Sequence, residues 1–299
     1  MSVTKIGWIG TGVMGRWMAE RLIKAGHKLS VNNIPRERTE PLLQLGAQFK
    51  SVPEIGESCD VVFTMVGFPH ELNDLILSQN GLLKFMKPGT LLVDHTTSSP
   101  HLATIIAAEA SKVGVTSVDA PVSGGDEGAK NGKLAIMVGG EKAGFERAKP
   151  LMDNYGINIR HMGKAGVGQH TKLTNQIVLA GNMIGMVEGM MYGWRAGLDV
   201  EQMIDLISTG AAGSVYFKAV APKIAKGDHS PGFYVQHFVK DLGLALDECK
   251  RMKIVLPGLT MANQFYLSMV ANGEEKLGVH ALVKVLERLN NVKFGQKID

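Results

Sequence analysis

In the stretch "GVGQHTKLTNQ" a lysine, Lys172, stands three residues before Asn175 and four before Gln176. On a helix those offsets share one face. A lysine and a carboxamide converging on one point can hold a substrate hydroxyl and move its proton, which is general acid–base chemistry. A lysine at a helix start opposes the macrodipole, so a partner or a function must account for it. The spacing leaves open whether Asn175 or Gln176 is the amide partner. A second stretch, "DAPVSGGDEGAKNGKLAIMVGG" (119–140), starts at the C-terminal end of a strand, where open α/β sheets collect their ligands. There Ser123 offers a hydroxyl, and Gly124 and Gly125 offer backbone N–H groups, a combination suited to a small carboxylate. A plain structural turn is the competing use. In "HFVKDLGLALDECK", Lys240 and Asp241 sit on an amphipathic helix. Lys240 either reaches toward a cofactor or snorkels to water.

A glycine loop indicates what these groups work with. "WIGTGVMG" holds Gly10, Gly12 and Gly15 in GxGxxG spacing, directly after a strand and at the opening of a helix. In that context Gly10 makes the tight turn, Gly12 lets a pyrophosphate approach, and Gly15 lets helix and strand pack closely. The loop from Gly10 through Thr11, Gly12, Val13 and Met14 to Gly15 is then a dinucleotide cradle on a helix N-terminus. About twenty residues on, the second strand ends at Asn32–Asn33 in "VNNIPRER", where an NAD-selective protein carries an acid. Asn33 can donate to a 2′-phosphate, and Arg36 or Arg38 can meet it with a guanidinium. NADP is therefore the expected cofactor. NAD is the second choice, since failing to repel a phosphate is not the same as gripping it.

The elements that position these residues follow from periodicity. "KIGWIG", "KLSVN", "DVVFTMV", "GTLLVD" and "TSVDAP" read as short apolar strands, with helices over 13–25, 37–45 and 101–113 between them. "KLAIMVGG" and "INIRHMG" add strands around a helix at 143–154. After about 164 the pattern is helical throughout, with a long helix at 168–196 and shorter ones at 200–208, 214–225, 236–252, 257–271 and 279–290. The expected fold is a Rossmann-type doubly wound parallel sheet, then an all-α C-terminal domain joined by a long interdomain helix. We expect a dinucleotide-binding domain over 1–164 and a helical substrate and dimerisation domain over 165–299.

Composition narrows the class. A net charge of +4, spread without runs, excludes a nucleic-acid partner. Two distant cysteines, Cys59 and Cys249, make neither a disulfide framework nor a metal motif, which fits the reducing cytoplasm. The first apolar run begins at Val3, which leaves no room for a leader, and the histidines form no ligand-spaced cluster, so no metal is expected. The segment 173–194 has one charge and glycines at 181, 185, 189 and 193, a stripe also seen in membrane helices. Asn175, Gln176, Asn182 and Glu188 around it favour a buried helix and no membrane contact. Four interior glycines, each costing roughly 1 kcal/mol relative to alanine, call for a backbone packed close along the stripe.

Taken in order, "GWIGTGVMG", "VDHTTSSP", "DAPVSGG", "GVGQHTKLTNQ" and "KDLGLAL" resemble the β-hydroxyacid dehydrogenase family, which includes 3-hydroxyisobutyrate dehydrogenase and tartronate semialdehyde reductase. The resemblance covers nearly the whole chain. It implies hydride transfer between NAD(P) and a small β-hydroxyacid or aldehyde acid, with Lys172 as acid/base. Ser123, Gly124 and Gly125 would hold the carboxylate, and Asn175 or Gln176 would be the amide partner. Val66, Thr97 and Lys240 match cofactor-contacting positions. The family's Asn-Arg-Thr for NADP is Asn33-Ile34-Pro35 here, so Arg36 would have to stand in for the arginine. A homodimer or homotetramer built on the long helix is also implied. The alternative within the family is an NADPH-dependent reductase of short semialdehydes such as succinic semialdehyde, glyoxylate or tartronate semialdehyde. 6-Phosphogluconate dehydrogenase needs a longer C-terminal domain, and a non-catalytic cofactor-binding module would be expected to lack Lys172.

Overall fold

The structure, a computed structural model, describes residues 4–296, so the apolar start read at Val3 lies outside it. The chain forms two compact units, Met1–Lys172 and Leu173–Asp299. The first is built on nine strands among the described residues. They are β1 (Ile6–Ile9), β2 (Leu29–Asn32), β3 (Gln48–Phe49), β4 (Val61–Thr64) and β5 (Leu91–Asp94), then β6 (Thr116–Asp119), β7 (Val122–Ser123), β8 (Leu134–Gly140) and β9 (Gly156–Gly163). Its helices are α1 (Gly15–Lys24), α2 (Glu40–Leu43), α3 (Val52–Ser58), α4 (Pro69–Leu77), α5 (Pro100–Lys112), α6 (Gly125–Asn131) and α7 (Lys142–Met152).

The strands run β3-β2-β1-β4-β5-β6-β8-β7, with β9 beside β8. All pairs from β3 to β6 are parallel; β8 runs antiparallel to β6 and β7 and parallel to β9. The sheet is thus mostly parallel, with a turned-back far end. Alternate residues of each central strand face opposite ways. Phe63, Leu91 and Val93 meet α1, α2, α6 and α7 through Met18, Leu22, Leu42, Ala129 and Met152. Val62 and Leu92 meet α3, α4 and α5 through Ile55, Leu72, Ile76 and Ile106. Both faces are covered, which is why "VVFT" and "LLVD" read as unbroken buried runs.

The sheet order reverses between β1 and β4, the switch point where such sheets open a crevice. Register makes that edge level: Ile9 pairs with both Asn32 and Thr64, Thr64 with Asp94, and Asp94 with Asp119. Five strands therefore end in one row; the loops leaving it carry Gly10, Asn33, Val66 and Thr97, and the chain leaving β6 carries Ser123 at the end of β7.

Helix α8 (Val167–Arg195) begins in the first unit and continues into the second, which adds α9 (Val200–Thr209), α10 (Val215–Ala225), α11 (Val235–Met252), α12 (Pro257–Ala271) and α13 (Val283–Asn290). Ala180, Met183, Ile184, Val187, Met190, Met191 and Trp194 recur at three- and four-residue steps and form the buried side of α8 against these helices. Of the four stripe glycines, Gly193 is filled by the Met203 side chain. The other three would have nothing within 4 Å of an added Cβ. One glycine thus serves this unit's own packing, which corrects the expectation that all four meet another backbone. No helix among the described residues is long and apolar enough to cross a membrane.

Candidate active site

The glycine loop is built as its spacing requires. Gly10 has φ +98°, and a Cβ there would collide with the Met65 carbonyl on the neighbouring strand end. A Cβ on Gly15 would strike the Gly10 carbonyl, so α1 can pack this close only on a bare Cα. Gly12 has no protein atom within 4 Å of where its Cβ would be. No side chain caps the first turn of α1 at Met14, whose Arg16 and Trp17 N–H groups donate to the Gly12 and Met14 carbonyls, so the positive end of the helix dipole is not countered by a side chain. The Thr11 N–H donates to Asn33 Oδ1 at 2.8 Å and its hydroxyl to the Arg38 carbonyl at 3.0 Å. Loop and second strand end are thereby locked together.

Asn33 is buried, and its Nδ2 donates to the Pro35 carbonyl at 2.9 Å. Its visible work is to shape the loop, a role that spacing alone did not suggest. Arg36 is exposed, with its guanidinium carbon 4.4 Å from the Phe49 ring centroid. Stacking of that kind fixes the plane of a guanidinium while leaving its edge for an anion.

Further along the row, buried Asp94 accepts from the Thr64 hydroxyl at 2.8 Å and from the Thr96 N–H at 3.1 Å. Thr96 in turn accepts from the Val66 N–H at 3.1 Å. The two loops that carry Val66 and Thr97 are thus tied by one carboxyl group. Burial pushes Asp94 up to about 7, although its threonine partners favour the charged form. His95 is fully enclosed: Nδ1 donates to the Ala120 carbonyl at 2.6 Å, and the Tyr155 hydroxyl lies 2.9 Å from Nε2. Burial takes it down to about 4, so the ring is neutral and holds β5 to β6.

Ser123 ends β7, and the two glycines after it have φ +135° and +66°. Residues with side chains rarely adopt such angles. Gly124 is exposed and an added Cβ on Gly125 would meet nothing within 4 Å, so this turn presents bare backbone. Lys172 lies in the second turn of α8 and is only 8% exposed. It closes the first unit, in which Ser123–Gly125, the glycine loop, Asn33, Arg36, Val66 and Thr97 also lie.

Asn175, Gln176 and Lys240 belong to the second unit. Asn175 Nδ2 donates to Gln176 Oε1 at 2.8 Å, and Gln176 Nε2 donates to Asp241 Oδ2 at 2.6 Å. Asp241 Oδ1 lies 3.1 Å from Lys240 Nζ. Both polar ends of Gln176 are spent inside the unit, whereas Asn175 uses an N–H there. Among the described residues no group of three or more His, Cys, Asp or Glu could hold a metal ion.

Residues 5–163 match the family model described as the NAD binding domain of 6-phosphogluconate dehydrogenase. Residues 166–286 match that described as the NAD-binding part of NADP-dependent 3-hydroxyisobutyrate dehydrogenase. A mitochondrial protein of Arabidopsis thaliana named 3-hydroxyisobutyrate dehydrogenase-like 1 is 50% identical over 293 residues, 97% of this chain and 87% of that one. The chain belongs to the β-hydroxyacid dehydrogenase family. It is an NAD(P)-dependent oxidoreductase. The 2-hydroxy-3-oxopropionate reductase of Escherichia coli is 36% identical over 291 residues, 97% of this chain and 99% of that one. A 3-hydroxyisobutyrate dehydrogenase of Mycobacterium tuberculosis, solved with L-serine, superposes with a TM-score of 0.84 at 30% identity, covering 95% of this chain and 99% of that one.

Within each unit of this β-hydroxyacid dehydrogenase, buried polar residues support the candidate side chains, and most of them were not singled out by spacing. Asp94 and Asp119 are buried strand-end carboxylates, and Gln169 and Asp241 are buried tethers. Gln169 and Asp241 stand within motifs that mark the family, "GVGQHTKLTNQ" and "KDLGLAL". Asp94 and Asp119 open "DHTTSSP" and "DAPVSGG". An acid at the last position of a buried strand is the signal that could have found the latter pair, because an ionisable group is rarely placed there without partners.

Proposed function

We propose that this enzyme moves a hydride between NADP(H) and a short β-hydroxyacid or the matching aldehyde acid, with Lys172 as general acid/base. The observation that carries the reading is a nearly enclosed lysine in the second turn of α8, in a chain of this family. When bound, the nicotinamide supplies or accepts the hydride. The open Cβ space at Gly12 and the uncapped start of α1 fit a pyrophosphate there. In the reducing direction Lys172 gives its proton to the carbonyl oxygen as that oxygen becomes an alcohol; in oxidation it takes the proton back. Asn175, three residues along the same helix, orients the oxygen, and Gln176 holds Asn175 through its bond to Asp241. Ser123 and the backbone N–H groups of Gly124 and Gly125 receive the carboxylate. Val66, Thr97 and Lys240 line the cofactor. The L-serine bound to the mycobacterial relative is itself a β-hydroxyacid, which supports that substrate class.

The test is the initial rate with NADPH and NADH in parallel against succinic semialdehyde, glyoxylate and tartronate semialdehyde, and with NADP and NAD against 3-hydroxyisobutyrate. We expect NADPH to be favoured by ~10-fold or more in kcat/KM, about 1.4 kcal/mol. Arg36→Ala is expected to erase that preference by raising KM for NADPH alone. Equal loss with both cofactors, or none, would remove Arg36 from 2′-phosphate recognition. A protein that binds NADPH but turns over no member of the panel would be a binding module instead.

We also propose a homodimer, with assembly to a tetramer open, in which α8 packs on another copy. Gly181, Gly185 and Gly189 are exposed, beside Val178 and Tyr192 at 58% and 77% exposure. Bare Cα atoms flanked by uncovered apolar side chains suit a close backbone approach. Light scattering at micromolar concentration is expected to give at least twice the 32.2 kDa chain mass. A single-chain mass would end the proposal.

A further inference from the structure

The first turn of α8 leaves backbone N–H groups without intrahelical partners, as every helix start does. Here they are met by a side chain from a distant strand. Asp119, at the end of β6, accepts from the Gly166 N–H through Oδ1 at 2.8 Å and from the Gln169 N–H through Oδ2 at 2.9 Å. The fit is tight on all sides. A Cβ added at Gly168 would lie 2.5 Å from the Met137 carbonyl and 2.7 Å from that of Asp119. A Cβ at Gly139 would lie 2.6 Å from Asp119 Oδ1. Two glycines thus clear the space in which carboxylate and helix start meet.

Gln169, fully buried, makes a second tether. Its Oε1 accepts from the Ser98 N–H at 2.9 Å and its Nε2 donates to the Thr96 carbonyl at 2.7 Å. The start of α8 is therefore bonded both to the end of β6 and to the loop leaving β5. Lys172 follows Gln169 by three residues, about 4.5 Å along the helix. Ser123 follows Asp119 by four residues, along the chain that leaves β6 and pairs as β7 with β8. One carboxylate joins the piece of chain that carries Ser123 to the piece that carries Lys172.

We propose that Asp119 is the positioning residue of this active site: with Gln169 it sets the place of Lys172 relative to the Ser123 turn, without touching substrate or cofactor. The inference rests on the reading of Lys172 as the proton-transfer group. A carboxylate suits the task because both its oxygens accept. An asparagine would have to turn an NH2 group toward one of the two N–H donors. Burial raises the Asp119 carboxyl, and the N–H groups of Gly166 and Gln169 oppose that shift by bonding to the charged form. A helix N-terminus adds further attraction for the anion.

The test compares Asp119→Asn, Gln169→Met and Lys172→Ala in the full chain. A displacement of about 1 Å can cost ~10²-fold in rate. We expect Asp119→Asn and Gln169→Met each to lower kcat by between ~10-fold and ~10²-fold. KM for the acid substrate and Kd for NADPH, followed by its fluorescence, should stay within about two-fold of wild type. The solvent deuterium isotope effect on kcat should rise, because a displaced lysine makes proton transfer slower. A folded Asp119→Asn protein with wild-type kcat would overturn the proposal. So would a loss of kcat in step with a loss of NADPH-binding capacity, which marks damaged protein rather than displaced chemistry. If Asp119→Asn does not fold, Gln169→Met, which leaves the Asp119 cap intact, decides by the same criteria. If Lys172→Ala itself turns over normally, the lysine reading has failed and Asp119 falls with it. An inactive Lys172→Ala beside an unimpaired Asp119→Asn removes the present inference alone.

Discussion

Replacing Lys172 with alanine is expected to lower kcat by at least ~10²-fold in both directions, while Kd for NADPH stays within about two-fold. The magnitude follows from losing the only proton donor that the reading assigns to the developing alkoxide. The selectivity follows from position: the cofactor loop is held by Thr11, Asn33 and Arg38, none of which depends on the lysine. Lys172 is only 8% exposed, so the substitution removes a side chain from an enclosed position and not from the surface. Asn175→Ala is expected to follow it with ~10-fold or greater loss in kcat. Gln176→Ala should do damage through Asn175, since Gln176 spends Oε1 on that residue and Nε2 on Asp241. Steady-state kinetics beside a fluorescence titration separates the two effects. A Lys172→Ala enzyme with wild-type turnover would sink the assignment of the acid/base.

The second large effect is expected at the glycine loop, where two neighbouring substitutions should fail differently. Gly12→Ala adds one methyl group where no protein atom lies within 4 Å. The fold should not notice it, and Tm should stay within about 2 °C, as for a surface change of a few tenths of a kcal/mol. The space it fills is where the pyrophosphate backbone must come closest, so Kd for NADPH should rise by ~10-fold to ~10²-fold. Gly10→Ala instead forces a side chain into φ +98° and against the Met65 carbonyl. Backbone strain of that kind costs of the order of 1–3 kcal/mol before the collision is counted. Tm should fall by several degrees and cofactor binding with it. Titration calorimetry and thermal melts on the two variants give the comparison. Unchanged affinity in Gly12→Ala would mean that the cofactor does not lie against this loop.

Much of this protein can be read along the chain. The strands "IGWI", "VVFT" and "LLVD" announce themselves because both faces of their sheet are covered, so every residue is buried and, apart from the end residues Thr64 and Asp94, apolar or small. The long helix and its five successors follow from three- and four-residue apolar steps. Helices α3 and α4 do not stand out in that way, being short and proline-led. Yet "SVPE" contains a capping box in which Ser51 and Glu54 bond each other's backbone, a local signal that periodicity overlooks. The segment expected as a helix over 37–45 divides into a 3₁₀ turn, Arg36–Thr39, and the short α2, because Pro41 cannot donate within a continuous helix. The reversal of β8 also escapes a reading by pattern, since an apolar run looks the same in either direction.

The proposed site divides along the same line. Lys172, Ser123 and the three loop glycines are recognisable because their chemistry depends on residue type and on neighbours a few positions away. Their supports are not recognisable in that way. Asp119 caps a helix that starts 48 residues later, and Asn33 holds a loop 22 residues before it. Gln169 ties that same helix to Thr96 and Ser98, and Asp241 anchors Gln176 across 65 residues. Each is a buried polar pairing, and its partner is chosen by which strands lie side by side and in what register. Local sequence settles turn type, helix period and the cradle for a nucleotide, because those interactions span less than two helical turns. Only the folded sheet, by bringing the ends of β1, β2, β4, β5 and β6 into one row, decides which carboxylate steadies which helix.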